Sequence, residues 1–240
     1  MSLAHALVPS PCGGVAIEIG GVEALLRPSG AVWIAKERLL VAADLHLEKG
    51  SAYAARGQML PPYDTADTLA RLTAEAAQLG PRTIVLLGDT LHDGGAEARL
   101  APAAVDALKA LGRVAELLWV LGNHDADGPA ALPGRRAPAY AIAGLELVHE
   151  PRPGPQQGEM AGHLHPCARV AGRAGSVRRR CFVTDGGRLV LPALGAYAGG
   201  LNVLHPAFGG LFRRPPVAIV LGRGRAHAVG WRQLVDDQRA

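Results

Sequence analysis

The sequence contains little cysteine, little lysine and few aromatic residues, and each scarcity argues against a class of protein. Its three cysteines, Cys12, Cys167 and Cys181, form no C-x-x-C pair, so we expect neither a disulfide framework nor a zinc knuckle. Only 4% of the residues are aromatic, which is too few for the stacking platform of a single-strand binder. The net charge of +4 is compatible with a polyanionic substrate but does not show one.

Long apolar runs are absent as well. No stretch reaches the roughly 18 uninterrupted apolar residues that indicate a membrane span. The N-terminus lacks the basic segment and apolar core of a signal peptide. We therefore expect a cytoplasmic protein without a membrane partner. The length of 240 residues and the hydrophobic content of 49% predict a single domain over residues 1–240, since no repeat or linker divides the chain.

Short apolar runs alternate with segments of helical periodicity through the first half of the chain. The predicted elements are strands at 39–43, 83–87 and 117–121, a helix from its N-cap Asp64, and a helix over about 97–111. This alternation is the βαβ pattern of a mostly parallel sheet. A Gly20-Gly21 step within 13–34 predicts an antiparallel hairpin at the sheet edge, and the Pro- and Gly-rich stretch 126–141 predicts a loop.

Polar residues follow the predicted strands at the points where the strands end. Ligands of an open α/β sheet bind outside the carboxyl ends of its strands, so we expect these side chains to converge. The pairs Asp44/His46 and His163/His165 are each two residues apart, which on an extended backbone places both side chains on one side. The complete set of candidate metal ligands is Asp44, His46, Asp89, Asn123, His149, His163 and His165.

This mixture of carboxylate, amide and imidazole ligands is too large for one tetrahedral zinc ion. It suits two divalent ions that share a carboxylate and stabilise the attacking and leaving oxygens of a phosphoryl displacement. Oxygen and imidazole ligation without thiolate favours manganese, with iron or zinc as alternatives. One such histidine or aspartate alone is more often structural, and the joint pattern is what predicts a site. Next to Asn123, His124 can exchange a proton near neutral pH, and Asp125 is expected to hold the turn.

In chain order these motifs resemble the calcineurin-like metallophosphoesterase superfamily. The motifs are D-L-H at 44–46, G-D at 88–89, G-N-H-D at 122–125, His149, and G-H-L-H-P at 162–166. The resemblance implies an α/β fold, a four-layer α-β-β-α sandwich, with a dimetal site at the C-terminal ends of the strands. It also implies that Asp89 bridges the two ions.

The same resemblance implies a role for each ligand. One ion would be held by Asp44, His46, Asp89 and His165, and the other by Asp89, Asn123, His149 and His163. A hydroxide that bridges the ions would attack phosphorus, and His124 would stabilise or protonate the leaving oxygen as general acid.

A narrower similarity covers nearly the whole chain and points to the ligase-associated DNA damage response endonuclease family, PdeM. It is carried by residues 41–51, 60–65, 87–93, 149–151, 162–166, 179–182 and 191–202. It implies a phosphodiesterase that acts on DNA, as an endonuclease or end-processing enzyme in DNA repair, with a DNA ligase and a helicase as pathway partners. His92 stands where SbcD-type nucleases also carry a histidine, and it is expected to assist catalysis or face the substrate, unless it is a structural loop residue.

SbcD-type nucleases carry an additional DNA-binding region for which this chain has no spare length. A homodimer or a protein partner could supply that surface. Candidate substrate-binding residues are Arg56, in the connection 48–62, together with Arg135 and Arg179. A solvated surface role for the arginine runs, and a surface loop at 48–62, are the alternatives.

Two other functions stay open. The chain could be a small-molecule phosphodiesterase or phosphatase acting on nucleotides, because a fold alone does not fix the substrate. It could also be a non-catalytic binding scaffold on the same fold, although the complete ligand set argues against that interpretation.

Overall fold

Two large β-sheets form the centre of the protein, which the computed structural model describes over residues 7–172 and 175–237. The first sheet follows chain order: β1 (Val8–Pro9), β2 (Val15–Ile19), β3 (Val22–Leu26), β4 (Val32–Ile34), β5 (Leu39–Ala43), β6 (Thr83–Leu87), β7 (Glu116–Val120) and β8 (Arg135–Ala137). Strands β1 to β5 pair antiparallel and β5 to β8 pair parallel. The predicted hairpin and the three predicted buried strands are confirmed.

The second sheet is built from the C-terminal half of the chain. Its strands are β9 (Ala139–Ile142), β10 (Leu145–Val148), β11 (Glu159–Ala161), β12 (Cys167–Gly172), β13 (Gly175–Thr184), β14 (Arg188–Val190), β15 (Val217–Leu221), β16 (Ala226–Val229) and β17 (Leu234–Val235). The main order is β16-β15-β13-β14-β11-β10-β9, and β12 pairs with both β13 and β17. The expected loop at 126–141 is wrong in part, because β8 and most of β9 lie within it.

Helices lie along the first sheet: α1 (Lys49–Ala54), α2 (Asp64–Leu79), α3 (Ala96–Arg99) and α4 (Pro102–Val114). The single helix expected over 97–111 is wrong, because Pro102 lacks the N–H that a continuous helix needs and instead starts α4. The predicted N-cap is also wrong. Tyr63 occupies the cap position, and the Asp64 carboxylate instead accepts the Gly50 N–H at 2.8 Å.

Apolar side chains fill the space between the layers. Fully buried Val41 and Leu87 of the first sheet share a core cluster with Leu147 and Phe182 of the second. A separate cluster joins the opposite face of the first sheet to α2 and α4. Burying a large apolar side chain contributes roughly 1.5–3 kcal/mol, so the two clusters together fix the stacking of the layers.

The predicted sandwich is confirmed, with a change in its fourth layer. Among the described residues, the outer face of the second sheet is covered by β17 and by loops with 3-10 turns at Pro206–Phe208 and Trp231–Gln233, rather than by α-helices. In the same part of the chain, no helix has the length and apolar character needed to cross a membrane.

Candidate metal centre

All seven predicted ligands come together at one end of the two sheets. Asp44, Asp89 and Asn123 follow the parallel strands β5, β6 and β7, while His149 and His163 follow the parallel strands β10 and β11. Parallel strands present their carboxyl ends at the same edge, and this is the physical reason for the convergence. A bridge between Ala43 and Ala193 joins the two halves of the protein beside this edge.

The ligand atoms form two compact groups. In one group the atoms of Asp44, His46 and His165 lie within 4.8 Å of one another, and in the other those of Asp89, His149 and His163 do. The amide oxygen of Asn123 belongs to the second group, since it is 2.9 Å from His149 Nε2 and 3.1 Å from His163 Nδ1.

Asp89 lies between the two groups. Its Oδ1 atom is 3.4 Å from His149 Nε2, and its Oδ2 atom is 3.9 Å from His46 Nε2. One carboxylate oxygen therefore faces each group. A carboxylate in this position would reach both groups.

The donor atoms fit cations better than they fit one another. The Nε2 atoms of His46 and His165 are 3.2 Å apart, and His163 Nδ1 is 3.1 Å from His149 Nε2, so ring nitrogens face ring nitrogens. His149 Nδ1 is buried without a hydrogen-bond partner. Two nitrogens that face each other can share at most one proton, whereas both can direct lone pairs to a metal.

The protonation states of His46 and Asp89 also favour metal ligation. Burial and the neighbouring His165 hold the pKa of His46 well below its usual range, so its imidazole is neutral. Burial acts to raise the pKa of Asp89. Hydrogen bonds from His149 and from the main-chain N–H of His124 outweigh this effect and hold the pKa below its ordinary value, so the carboxylate is ionised. Metal ligands must be deprotonated in this way.

The backbone that carries the ligands is left-handed rather than extended. Positive φ angles occur at five of the seven ligand residues: Asp44 (52°), His46 (45°), Asp89 (42°), His163 (65°) and His165 (44°). The expectation of two residues on one side of an extended segment is therefore wrong for both pairs. Such conformations cost about 1–3 kcal/mol each in non-glycine residues and persist only where the surroundings enforce them. Here Asp44 accepts the His163 N–H at 3.0 Å, and the His46 N–H donates to the Asp89 carbonyl at 2.9 Å.

Asp125 ties together the loops that follow β6 and β7. Its Oδ2 atom accepts the N–H groups of Thr90 at 2.8 Å and Leu91 at 3.0 Å, and its Oδ1 atom accepts the Gly122 N–H at 3.0 Å. The side chain is buried. The predicted turn-holding role agrees with these contacts, which also reach the neighbouring loop.

Two further histidines stand over the ligands. The imidazole of His124 is 40% exposed, and its Nε2 atom is 4.0 Å from Asp89 Oδ2. The His92 ring stacks on that of His124 at a centroid distance of 5.2 Å, and its Nδ1 atom is 3.4 Å from His46 Nδ1. Burial, Lys49 and His124 lower the pKa of His92 to about 4. His92 is therefore a neutral imidazole beside the cationic Lys49.

The start of the connection 48–62 forms one wall of the site. Its helix α1 places the Tyr53 ring 6.4 Å from that of His92, in a stacked arrangement. Arg56 follows α1 and is exposed, and after burial, Lys49 and His124 its charge also acts to lower the pKa of His92. Ser51 is engaged elsewhere, since its hydroxyl accepts the Arg99 Nε–H. The structure thus places the start of this connection beside the site, while residues 54–62 are exposed, as the surface-loop alternative expects.

The other two predicted substrate-binding arginines lie apart from the ligands. Arg135 of β8 pairs with Leu118 of β7. Its side chain forms an ion pair at 2.6 Å with Glu116, at the start of β7 and away from the ligands. Arg179 is exposed on β13. The structure does not bring either side chain into the ligand groups.

Arg180 is a supporting residue whose role the sequence motifs did not predict. Its guanidinium donates to five main-chain carbonyls between Ala193 and Ala198, the nearest at 2.6 Å. This segment contacts the site, since the Gly195 N–H donates to the Asp44 carbonyl at 3.1 Å. The period of two in a strand could have indicated it, because Arg180 shares the face of the buried Phe182.

Comparison with known proteins agrees with this geometry. The calcineurin-like phosphoesterase family matches residues 37–219, and the chain belongs to that family. The protein is similar to Pseudomonas putida nuclease MPE, whose crystal structure matches it with a sequence identity of 28% and a TM-score of 0.68. The match covers 90% of this chain and 100% of that one. Yfce, a phosphoesterase from E. coli, matches at 17% identity and a TM-score of 0.38, over 82% of this chain and 96% of that one. No curated protein gave a significant match. The nuclease likeness is consistent with the narrower resemblance to the DNA damage response endonucleases.

Proposed function

We propose that this protein is a metal-dependent phosphodiesterase that cleaves DNA, as an endonuclease or end-processing enzyme in DNA repair. The observation that carries the proposal is the pair of ligand groups with Asp89 between them. The family supplies the phosphoesterase class, and the likeness to a nuclease at 28% identity supports a nucleic-acid substrate.

Two divalent ions fit the ligand groups, and manganese suits their oxygen and nitrogen donors. Asp44, His46 and His165 would hold one ion, Asn123, His149 and His163 the other, with Asp89 shared. When bound, the ions would act as Lewis acids that stabilise negative charge on the phosphoryl oxygens.

His124 would supply the proton for the leaving oxygen. Its Nε2 atom faces the ligand groups, and its exposed ring leaves room for a substrate against it. His92 would orient the phosphate from the adjacent position, and the charge of Arg56 would attract it. General acid catalysis of this kind contributes about 10²–10⁴-fold to a rate.

Substrate access supports a chain-like substrate rather than an enclosed small molecule. Asn123 and His124 are exposed at the mouth of the site, whereas Asp44 and Asp89 lie buried beneath them. We place the protein in the cytoplasm, in a pathway with a DNA ligase and a helicase. A second copy of the chain could extend the DNA-binding surface.

The test compares wild-type protein with Asp89→Asn, purified in parallel so that a contaminating nuclease appears in both. Metal-stripped samples receive manganese and are incubated with plasmid DNA, a single-stranded oligonucleotide and bis-p-nitrophenyl phosphate, at two salt concentrations. We expect only wild type to cut DNA, with suppression by salt because phosphate contacts release counterions. Turnover of the small diester alone would favour the nucleotide enzyme, and no turnover with any divalent ion would favour the scaffold.

A further inference from the structure

A second concave region, the arginine cavity, lies on β13 and the loops beside it. Its volume is about 430 Å³, and its walls include Arg71, Arg178, Arg179, Arg180, Cys167 and Gly199. Four arginine residues therefore line one space. Among the described residues that line it, none is acidic.

The arginines of this cavity have few internal counter-charges. Arg180 donates to main-chain carbonyls, Arg71 Nε donates to the Asp67 carbonyl at 3.2 Å, and Arg179 Nη1 donates to the Arg178 carbonyl at 3.0 Å. Arg178 lies 3.3 Å from the Asp237 carboxylate. Burial and the nearby charge of Arg71 lower the pKa of Arg180. Clustered positive charges that cost desolvation are stabilised by an anion, and guanidinium groups match phosphate geometry.

The arginine cavity is adjacent to the metal centre. Cys167 in its wall is two residues from the predicted ligand His165, so their Cα atoms are at most about 7 Å apart. Gly200, which follows Gly199 of the wall, packs against the same loop: a Cβ atom on Gly200 would lie 2.2 Å from the His165 carbonyl oxygen and 2.5 Å from Cys167 Sγ. A strand bound at the metal centre would therefore have neighbouring phosphates on the side of this wall.

We propose that the arginine cavity binds a backbone phosphate of the nucleic-acid strand, flanking the phosphodiester at the metal centre. The inference rests on the proposed function, and it gives Arg179 a phosphate contact outside the ligand groups. Half-buried Arg71 and exposed Arg179 provide the charge, while Arg180 holds the wall.

The test measures binding of a fluorescent single-stranded oligonucleotide by anisotropy across a salt series. The protein used is the whole chain, loaded with manganese. It carries His124→Ala so that the oligonucleotide is not cleaved during the measurement. The test variant is R71A/R179A, and R71K/R179K keeps the charge. The matched control is R82A/R113A, which removes two exposed arginines from a different cavity, one that includes Glu116. Thermal melting verifies folding of each variant.

We expect R71A/R179A to raise Kd at least about tenfold, as loss of a charge-assisted contact does. Its salt slope should be shallower by about 0.7, the contribution of one single-strand phosphate contact. R71K/R179K should keep most of that slope, and R82A/R113A should bind like its parent.

Equal weakening by R71A/R179A and R82A/R113A would reduce the effect to net charge and overturn the inference. So would a parent protein that does not bind the oligonucleotide. DNA cleavage by the His124 wild type is scored separately. Arginine-dependent binding without cleavage would overturn the proposed function but leave the inference about the cavity standing. Cleavage without arginine-dependent binding would overturn the inference about the cavity but leave the proposed function standing.

Discussion

The Nδ1 atom of His124 lies 2.7 Å from the main-chain carbonyl oxygen of His92. A carbonyl oxygen can only accept, so Nδ1 carries a proton and Nε2 is the atom that exchanges one with a substrate. The loop after β6 therefore sets the tautomer of a histidine on the loop after β7. Asp125 fastens the same two loops to each other, so the proton-exchanging atom is held over the ligand groups by contacts from both.

Replacement of His124 by alanine tests this role. We expect kcat on a DNA phosphodiester to fall by about 10²–10⁴-fold, because the leaving alkoxide then lacks its proton donor. On bis-p-nitrophenyl phosphate the loss should be much smaller, since p-nitrophenolate leaves without protonation. Steady-state kinetics on both substrates measures the difference.

His227→Ala is the matched control for that measurement, since it removes an exposed imidazole on β16. It should leave both rates unchanged. Equal losses on the two substrates for His124→Ala would mean that the imidazole binds the phosphate group instead of protonating the leaving oxygen.

Removal of single ligands should separate the two proposed ions. His165→Ala takes a nitrogen from the Asp44 group and His163→Ala takes one from the Asp89 group, so each should lower bound manganese from about two ions per chain to about one. Metal analysis after gel filtration measures this. Manganese should also raise the Tm of the stripped wild type, since a ligand at 100 times its Kd stabilises by about 2.7 kcal/mol.

His227→Ala again provides the comparison, and it should retain the wild-type metal content and the wild-type rise in Tm. Retention of both ions by His163→Ala and His165→Ala would contradict the assignment of these residues as ligands. A single ion in wild type would contradict the shared position of Asp89.

The cysteines should differ sharply in reactivity. Burial acts to raise the pKa of Cys12, but hydrogen bonds with Ser10 and Gly14 and the charge of Arg27 bring it below its ordinary value. Burial raises the pKa of both Cys167 and Cys181. Since the thiolate is the nucleophile, iodoacetamide should label native protein once, at Cys12, at a pH below that needed for a free thiol.

Mass spectrometry of the labelled protein checks this pattern. Cys12→Ser should abolish native labelling, whereas denaturant should expose the remaining two thiols. Rapid native labelling of Cys181 would show that the core beneath β13 opens more readily than its complete burial indicates.

The convergence of the seven candidate ligands could be predicted from sequence because most of them lie next to a recognisable strand. Apolar runs such as 83–87 mark the strand, and parallel pairing then brings the ends together whatever the details of the loops. The positions of Asp89 and His149 could be predicted without any further information. The arginines outside the motifs could not be assigned in this way, because a charged side chain on a strand or loop gives no signal of the direction in which it points.

Local backbone geometry was equally hard to foresee. The spacing of two in Asp44/His46 is compatible with an extended segment, and only the tertiary hydrogen bonds enforce the left-handed conformation that the structure shows. The break before Pro102 was different, since proline itself signals a helix start. Pairing of β8 beside β7 depends on contacts distant in sequence, so a Pro- and Gly-rich stretch predicted a loop instead.

Gly88 tests how closely the ligand loops are packed. Its φ is +70°, and a Cβ atom there would lie 2.0 Å from His149 Nδ1. Gly57 has a similar φ of +78°, but a Cβ atom added there would meet no other atom within 4 Å, so Gly57→Ala isolates the backbone strain from the steric clash. We expect Gly57→Ala to lower the free energy of unfolding by about 1–2 kcal/mol, the cost of a left-handed alanine.

Gly88→Ala should lower the free energy of unfolding by roughly 1–3 kcal/mol more than Gly57→Ala, because the added methyl must displace a buried imidazole as well. It should also weaken manganese binding, since His149 is the side chain that has to move. Urea unfolding and metal titration of the two variants measure these differences. If both alanines cost the same and bind manganese equally well, the loop after β6 can shift away from His149, and the close packing at Gly88 does not position that ligand.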